Sequence, residues 1–319
     1  MRLFGPVSPN RKELFYMAKS NKVIIQAALC GAGTKKEVAP TVPYTPEEIA
    51  DQAIICAKAG ASIVHIHVRE DKEVAGKMEI GYKSMCLNQF TNTVEIVREK
   101  SKKEGVDVVI NLTTSGGEYE DHKRIQHLGA LRPEMCSFDP NTLNWNNAYI
   151  FENHPRFLNA LAVEVVKYDV KPEFEIFDTG HIDSAMFYVE KHGIPKPPHL
   201  QFIMGVGGSM PGTAENLAFM VGKLPAGSTW SVSGIGRCHM AMMLAGLALG
   251  CDGLRVGLED NIYYSRGVVA SNLQLVERAV ELSKLAGREI ATAEDAREIL
   301  GIKRNCLRDE KTNPVTFTA

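Results

Sequence analysis

"SIVHIHV", residues 62 to 68, is a β-branched run interrupted by His65 and His67. Side chains on a strand alternate faces, so a strand here sets both imidazoles on one face and Ile66 on the other. Just upstream, Thr45, Pro46, Glu47 and Glu48 form a helix start signal, and "PEEIADQAIICAKAG" keeps apolar residues at helical spacing until Gly60. Just downstream, "YKSMCLNQFTNTVEIVREKSKKEG" (82–105) reads as the next helix and also closes on a glycine.

The strand-then-helix unit recurs along the chain. "KVIIQAAL" (22–29) precedes it; "VDVVINLTT" (106–114), "EMCSF" (134–138), "PEFEIFD" (172–178), "HLQFIMGV" (199–206), "TWSVSG" (229–234) and "DGLRVG" (252–257) follow. Helical segments trail these strands near 120–130, 154–167, 181–192, 213–223, 237–250 and 267–287. Eight units close a parallel (β/α)8 TIM barrel, and apolar strands suit a sheet covered by helices on its outer face. The pattern predicts an α/β fold with one barrel domain over 1–319 and a core of about 22–290. A polar N-terminal extension and an extra capped helix in "TAEDAREILGIKRNC" (292–306) flank it. A doubly wound sheet is the structural alternative, because runs as short as "EMCSF" are open to another assignment. No Pro-, Gly- or Ser-rich linker splits the chain, and 319 residues fit one such barrel.

Composition narrows the function classes. Hydrophobic residues make up 45% and charged residues 23%, enough to build a large core. A formal charge of −2 argues against a strongly basic nucleic-acid binder. Seven scattered cysteines with no C-x-x-C pair read as a reduced, cytoplasmic protein. No apolar run is long enough for a membrane span, and the N-terminus lacks a signal-peptide core.

Barrel active sites are built at the carboxyl ends of the strands, where His65 and His67 fall. Two imidazoles on one strand can share a metal ion, and a catalytic zinc site commonly takes a third protein ligand and leaves one position open. "LRVGLEDNIYY" (254–264) offers that ligand: strand eight neighbours strand one, so Glu259 can reach the histidine pair. The plainer readings are one core and one rim histidine, and a turn or helix-cap role for Glu259, Asp260 and Asn261. Arg255 is either a charge partner of these carboxylates or a two-pronged contact for an anionic substrate.

Three loops share that end of the barrel. "NLTTSGG" (111–117) offers Thr113, Thr114, Ser115 and backbone N–H groups to an anion or a developing charge, or is an ordinary glycine turn. "GVGGSMPG" (205–212) allows close backbone approach at Gly207 and Gly208, but has neither a P-loop lysine nor a dinucleotide fingerprint in context. "SGIGRCHM" (233–240) places Arg237 and His239 at a helix start; a buried helix residue is favoured for His239 over a fourth metal neighbour.

Together "CGAGTKK…PYTPEE", "VHIHVRED", "LTTSGG", "RPEMCSF", "GVGGSMPG", "SGIGRCHM" and "LRVGLEDNIYYSRGVVASNLQLVERA" resemble the β-keto acid cleavage enzymes, collinearly from about residue 22 to 300. The resemblance implies a zinc-dependent barrel that condenses a β-keto acid with acetyl-CoA and cleaves the adduct to acetoacetate and a new CoA thioester. It implies zinc on His65, His67 and Glu259, proton transfer by Asp260 assisted by Arg255, and a positioning hydroxyl at Thr113 or Thr114. Gly33, Ser115, Gly116, Ser137, Gly207, Gly208, Ser209 and Asn261 are then candidate contacts for substrate or CoA, and a homotetramer is implied. Gly33 departs from the pattern, since members acting on an amino-bearing keto acid carry an acid in this loop. In "FDTGHID", Asp178, His181 and Asp183 could contribute to selectivity or form a solvated cap. Two rivals differ in kind. An amidohydrolase-type metal hydrolase would add histidines on strands five and six, and a non-catalytic barrel would hold no metal.

Overall fold

Strand β1 (Lys22–Ala28) is hydrogen-bonded on one side to β2 (Ile63–Ile66) and on the other to β8 (Gly253–Val256). The circle is completed in order by β3 (Val109–Leu112), β4 (Met135–Phe138), β5 (Lys171–Ile176), β6 (His199–Met204) and β7 (Thr229–Gly234). Every pairing around the ring is parallel, so this computed structural model, which describes residues 20–303, shows a closed eight-stranded barrel. The doubly wound alternative is thereby excluded. The expected N-terminal extension falls almost wholly outside the described residues, as does Cys306.

The helices form where local chemistry starts and stops them. Helix α1 (Pro46–Lys58) opens on a capping box in which the Thr45 hydroxyl accepts from the Glu48 N–H and the Glu48 carboxylate reaches back. Helix α2 (Leu87–Glu104) ends at Gly105 in the left-handed region. The ring continues with α3 (Asp121–Leu131), α4 (Pro155–Lys167), α5 (Thr179–His192), α6 (Ala214–Val221), α7 (His239–Ala248) and α8 (Asn272–Leu285). Their apolar faces pack on the outward side chains of the strands, among them Ile25, Val64, Ile110, Phe174, Phe202 and Leu254, in the main core.

Three antiparallel arms at the carboxyl ends of the strands escape the expected pattern. They run Val68–Val74 with Lys77–Ser84, Leu143–Trp145 with Tyr149–Phe151, and Tyr263–Ser265 with Val268–Val269. The first takes Tyr82–Ser84 from the start of the expected helix, and the third takes Val268–Val269, so that α8 begins only after Ser271 caps it. Most of these arm residues are solvated on both faces and show no core-facing alternation.

The extra helix α9 (Ala293–Leu300) stops at Gly301, short of the expected 306. It closes the amino-terminal end of the barrel: Ala293, Ala296 and Leu300 pack on the inward-pointing Ile24, Ile63, Val109 and Met135. Leu300 is fully buried there. Leu300→Ala is expected to lower the unfolding free energy by about 2–5 kcal/mol, read from denaturant midpoints, because the bottom of a closed barrel has little freedom to collapse onto the cavity.

Candidate metal centre and active site

Side chains that point into the barrel repeat every second residue, and from bottom to top they change from apolar to polar. Above Ile24, Ile63, Val109 and Met135 come Gln26, His65, Asn111 and Ser137; on the opposite staves stand Glu173, Glu175, Gln201, Ser231, Ser233 and Arg255. Glu173 accepts from Gln26 (3.0 Å) and Asn111 (2.7 Å), which fastens three staves below the site.

His65 and His67 converge as their spacing predicts. Their Nε2 atoms lie 3.7 and 3.3 Å from the same Glu259 oxygen, and the rings are 5.2 Å apart. Among the described residues these three form the cluster able to hold a metal ion, with ligand atoms all within 4.8 Å of one another. Their chemistry fits a divalent ion. Glu259 Oε2 is buried and receives no hydrogen bond, an acceptor that a cation would satisfy. Burial pushes His65 down to about 3 against the pull of Glu259, so its imidazole is in the neutral form that ligates metal. Burial works against Glu259 ionising, yet Arg255 and the two imidazoles hold it well below the usual carboxylate range.

The carboxylate gets so close because of two glycines. Gly31, with φ +57°, faces Glu259 so tightly that a Cβ would lie 2.6 Å from its Cγ. Gly257, at φ +138°, leaves no room for a Cβ beside the Ala28 carbonyl and lets strand eight turn over strand one.

Arg255, fully enclosed, organises the centre. Its Nε and Nη2 donate to the two Asp260 oxygens (2.9 and 3.0 Å), Nη2 also to Glu259 (2.7 Å), and Nη1 to Glu175 (2.7 Å) and Gln201 (3.1 Å). Ser233 donates to Asp260 at 2.7 Å. Burial raises the Asp260 carboxyl above its ordinary value, with Arg255 and Ser233 limiting the rise, which makes it a stronger proton acceptor than a free aspartate.

The structure separates the strand-three hydroxyls. Thr114 is engaged with β4: its N–H donates to the Ser137 hydroxyl (3.0 Å) and its own hydroxyl to the Ser137 carbonyl (2.9 Å). Thr113, fully buried on the inward face, accepts from the Ser115 N–H (3.0 Å). Arg124, buried on α3 and stacked on Phe157, donates to the Thr114 carbonyl and to Asn153, and so pins the loop from behind.

Other expected contacts have structural employment. The Gly207–Gly208 backbone is pressed against Asn144 and Asn146 of the second arm, Ser209 donates to the Val206 carbonyl, and a Cβ on Gly116 would press on Met85. Asn261 bonds the backbone of Tyr263 within its own loop. Gly33 faces open space. Asp178 caps α5, and Asp183 lies further along that helix. His181 is buried in it, accepting from the Phe177 N–H. His239 is buried in α7 and is not part of the metal cluster, as favoured, and Arg237 is exposed in the turn before it. His199 sits deep in the barrel against Thr229 and Ser231, so strands five and six bring no histidine to the metal cluster.

Comparison with known proteins bears on the barrel as a whole. A family model described as beta-keto acid cleavage enzyme matches residues 22–302. The chain belongs to that family. Across 285 residues it is 42% identical to the 3-keto-5-aminohexanoate cleavage enzyme of Fusobacterium nucleatum subsp. nucleatum, covering 89% of this chain and 99% of the relative. It is 33% identical to the 3-oxoadipate:acetyl-CoA acetyltransferase of Cupriavidus necator, covering 88% and 94%. Among solved structures a ternary complex of ObcA superposes with a TM-score of 0.71 at 22% identity, covering 82% of this chain and 68% of that one, a likeness of fold. The hydrolase reading finds no support in any of these matches. As a member of the beta-keto acid cleavage enzyme family, the protein is an enzyme.

Sequence reasoning missed Glu175, Gln201, Ser233 and Asp139. The signal was present in "PEFEIFD", where Glu173 and Glu175 recur at period two in an apolar strand and so share its inward face. Arg255→Met should lower the unfolding free energy at neutral pH by about 3–5 kcal/mol, because Glu175, Glu259 and Asp260 lose their shared cation. Without it the Glu259 carboxyl, now held low, rises, and the already raised Glu175 and Asp260 rise further, so the deficit is expected to shrink as pH falls through the acid range, in chemical denaturation followed from pH 8 to pH 4.

Proposed function

We propose that this enzyme condenses a β-keto acid with acetyl-CoA and cleaves the product to acetoacetate and a new acyl-CoA, at a zinc-type centre on His65, His67 and Glu259. The observation that carries the reading is the convergence of both Nε2 atoms on Glu259 while the same carboxylate shares Arg255 with Asp260. Its relatives' names, which include an acetyl-CoA acetyltransferase of a β-keto acid, support the choice of co-substrate.

A divalent ion at this site would act as a Lewis acid toward the keto and carboxylate oxygens. Asp260 takes a proton from the carbon between the two carbonyls, and its raised proton affinity suits that task. Arg255 keeps both Asp260 oxygens oriented and compensates the charge of the site. The resulting carbanion attacks the acetyl-CoA carbonyl, whose developing oxyanion meets the Thr113 hydroxyl and the Ser115–Gly116 segment. Collapse expels the CoA thiolate, which adds to the original keto carbon and breaks its bond to the α-carbon. That α-carbon takes the proton back from Asp260, giving acetoacetate and the new acyl-CoA. Thr113 is preferred to Thr114, whose hydroxyl is engaged with β4. Gly33 brings no charge to the mouth, which disfavours an amino-bearing substrate.

No helix among the described residues is long and apolar enough to cross a membrane. Six free cysteines among those residues favour the reducing cytoplasm. Phe187, Phe219 and Leu244, exposed on the outer helices, are consistent with burial in a homotetramer, which light scattering would test.

Purified protein incubated with acetyl-CoA and a panel of β-keto acids is expected to release acetoacetate; no acetoacetate from any member would refute the reading. His67→Ala should remove the metal, measured by elemental analysis, and abolish turnover while the protein stays folded. Asp260→Asn should retain the metal and lower turnover by about two orders of magnitude or more.

A further inference from the structure

Just beyond the end of β4, Asp139 is 2% exposed. The β4–β5 register pairs Ser137 with Glu173, and two residues further it sets Asp139 beside Glu175, both facing inward. Ser115 donates to Asp139 Oδ2 at 2.8 Å, whereas Oδ1 is buried and receives no N–H or O–H from the protein. The register sets the Glu175 carboxyl next to that unpartnered oxygen, and two buried carboxyls side by side are stable only with a proton between them.

We propose that Asp139 is a positioning residue: its carboxyl and that of Glu175 share one proton, and the pair fixes Arg255 against Glu259 and Asp260. The charges facing the pair make this the stable arrangement. Arg255 is the cation in contact with it, and that guanidinium already serves Glu259 and Asp260. Arg124 is the other nearby cation, but its donors go to the Thr114 and Glu152 carbonyls and to Asn153. Glu173 below and Glu259 above add negative potential. A doubly ionised pair would therefore place two charges where a fraction of one cation is available, and burial together with its acidic neighbour raises Glu175 well above the carboxylate range.

With one proton the pair carries a single negative charge, enough to hold Nη1 of Arg255. With none, it pulls the guanidinium toward β5 and away from the proton acceptor Asp260. Asp139 thus acts through Glu175 and Arg255 and need not touch the substrate.

The kinetic part rests on the function proposed above; a spectroscopic part does not, so the two can fail separately. In the metal-loaded enzyme, infrared difference spectra of wild type against Asp139→Asn at neutral pH should show loss of one protonated-carboxyl C=O band. Loss of carboxylate bands alone would overturn the shared proton. Asp139→Asn should lower kcat about tenfold with KM for both substrates within about twofold, the scale of a coupling between contacting residues. Its Glu175 has no acidic neighbour at that position and stays singly charged, so the alkaline limb of kcat should move up by at least one pH unit. An unchanged alkaline limb, or a change confined to KM, would overturn the positioning role. Should Asp139→Asn fail to fold, Glu175→Gln, a neutral isostere of the protonated acid, should likewise remove that limb, and retention of the limb there would refute the proposal.

Discussion

The Arg255 guanidinium is the constraint on which the rest of the site depends. A cation this deep is stable only when its donors are matched, and here they go to Glu175 and Gln201 on two staves and to Glu259 and Asp260 in the loop after the eighth. The consequence is mechanical as well as electrostatic. One planar group, contributed by the last strand, sets the direction of the Glu259 carboxylate aimed at the histidines and of the Asp260 carboxylate beside it. Glu259 and Asp260 cannot be reoriented independently, because both oxygens of Asp260 and one of Glu259 are bound to the same fork.

That polar centre is tolerable because the barrel divides its interior by height. The lowest layer is apolar on β1 to β4 and sealed by α9, while the main hydrophobic core lies outside the strands, between sheet and helices. Neither cluster uses a side chain of the metal centre. Stability and chemistry thus occupy different shells of one architecture, the division that lets barrels carry charged constellations at their carboxyl ends. Glu173, held by Gln26 and Asn111, is the seam between the two regimes.

How far the sequence disclosed this follows from the reach of each signal. The eight units were legible because their strands are apolar at period two and their helices carry caps such as Thr45–Glu48, all local features. The histidine pair and Glu259 were legible because barrel closure, a topological fact, brings stave eight beside stave one. The three arms were not, since residues such as Lys72, Glu73, Tyr263 and Val268 are solvated and carry no burial pattern. Nor were the destinations of the loop glycines. Gly207 and Gly208 accommodate a neighbouring arm, a contact 61 residues distant in the chain that no local pattern encodes. The Asp139–Glu175 neighbourhood likewise exists only once strand register is known.

The first loop sets two neighbouring positions of very different freedom at the mouth of the barrel. Gly31 and Gly33 are two residues apart, yet a side chain at 31 would strike Glu259, whereas one at 33 meets nothing within 4 Å. Thr34 anchors the loop by donating to the Leu258 carbonyl at 2.7 Å, and buried Arg69 ties the Cys30 and Thr34 carbonyls from the other side. Both ends of the segment are therefore fixed while its middle faces open space. A side chain at 33 therefore meets no protein atom, while the bonds of Thr34 and of the Cys30 carbonyl hold the backbone on either side of it. Position 33 and the Gly31–Glu259 contact are thus mechanically separated over one turn of backbone.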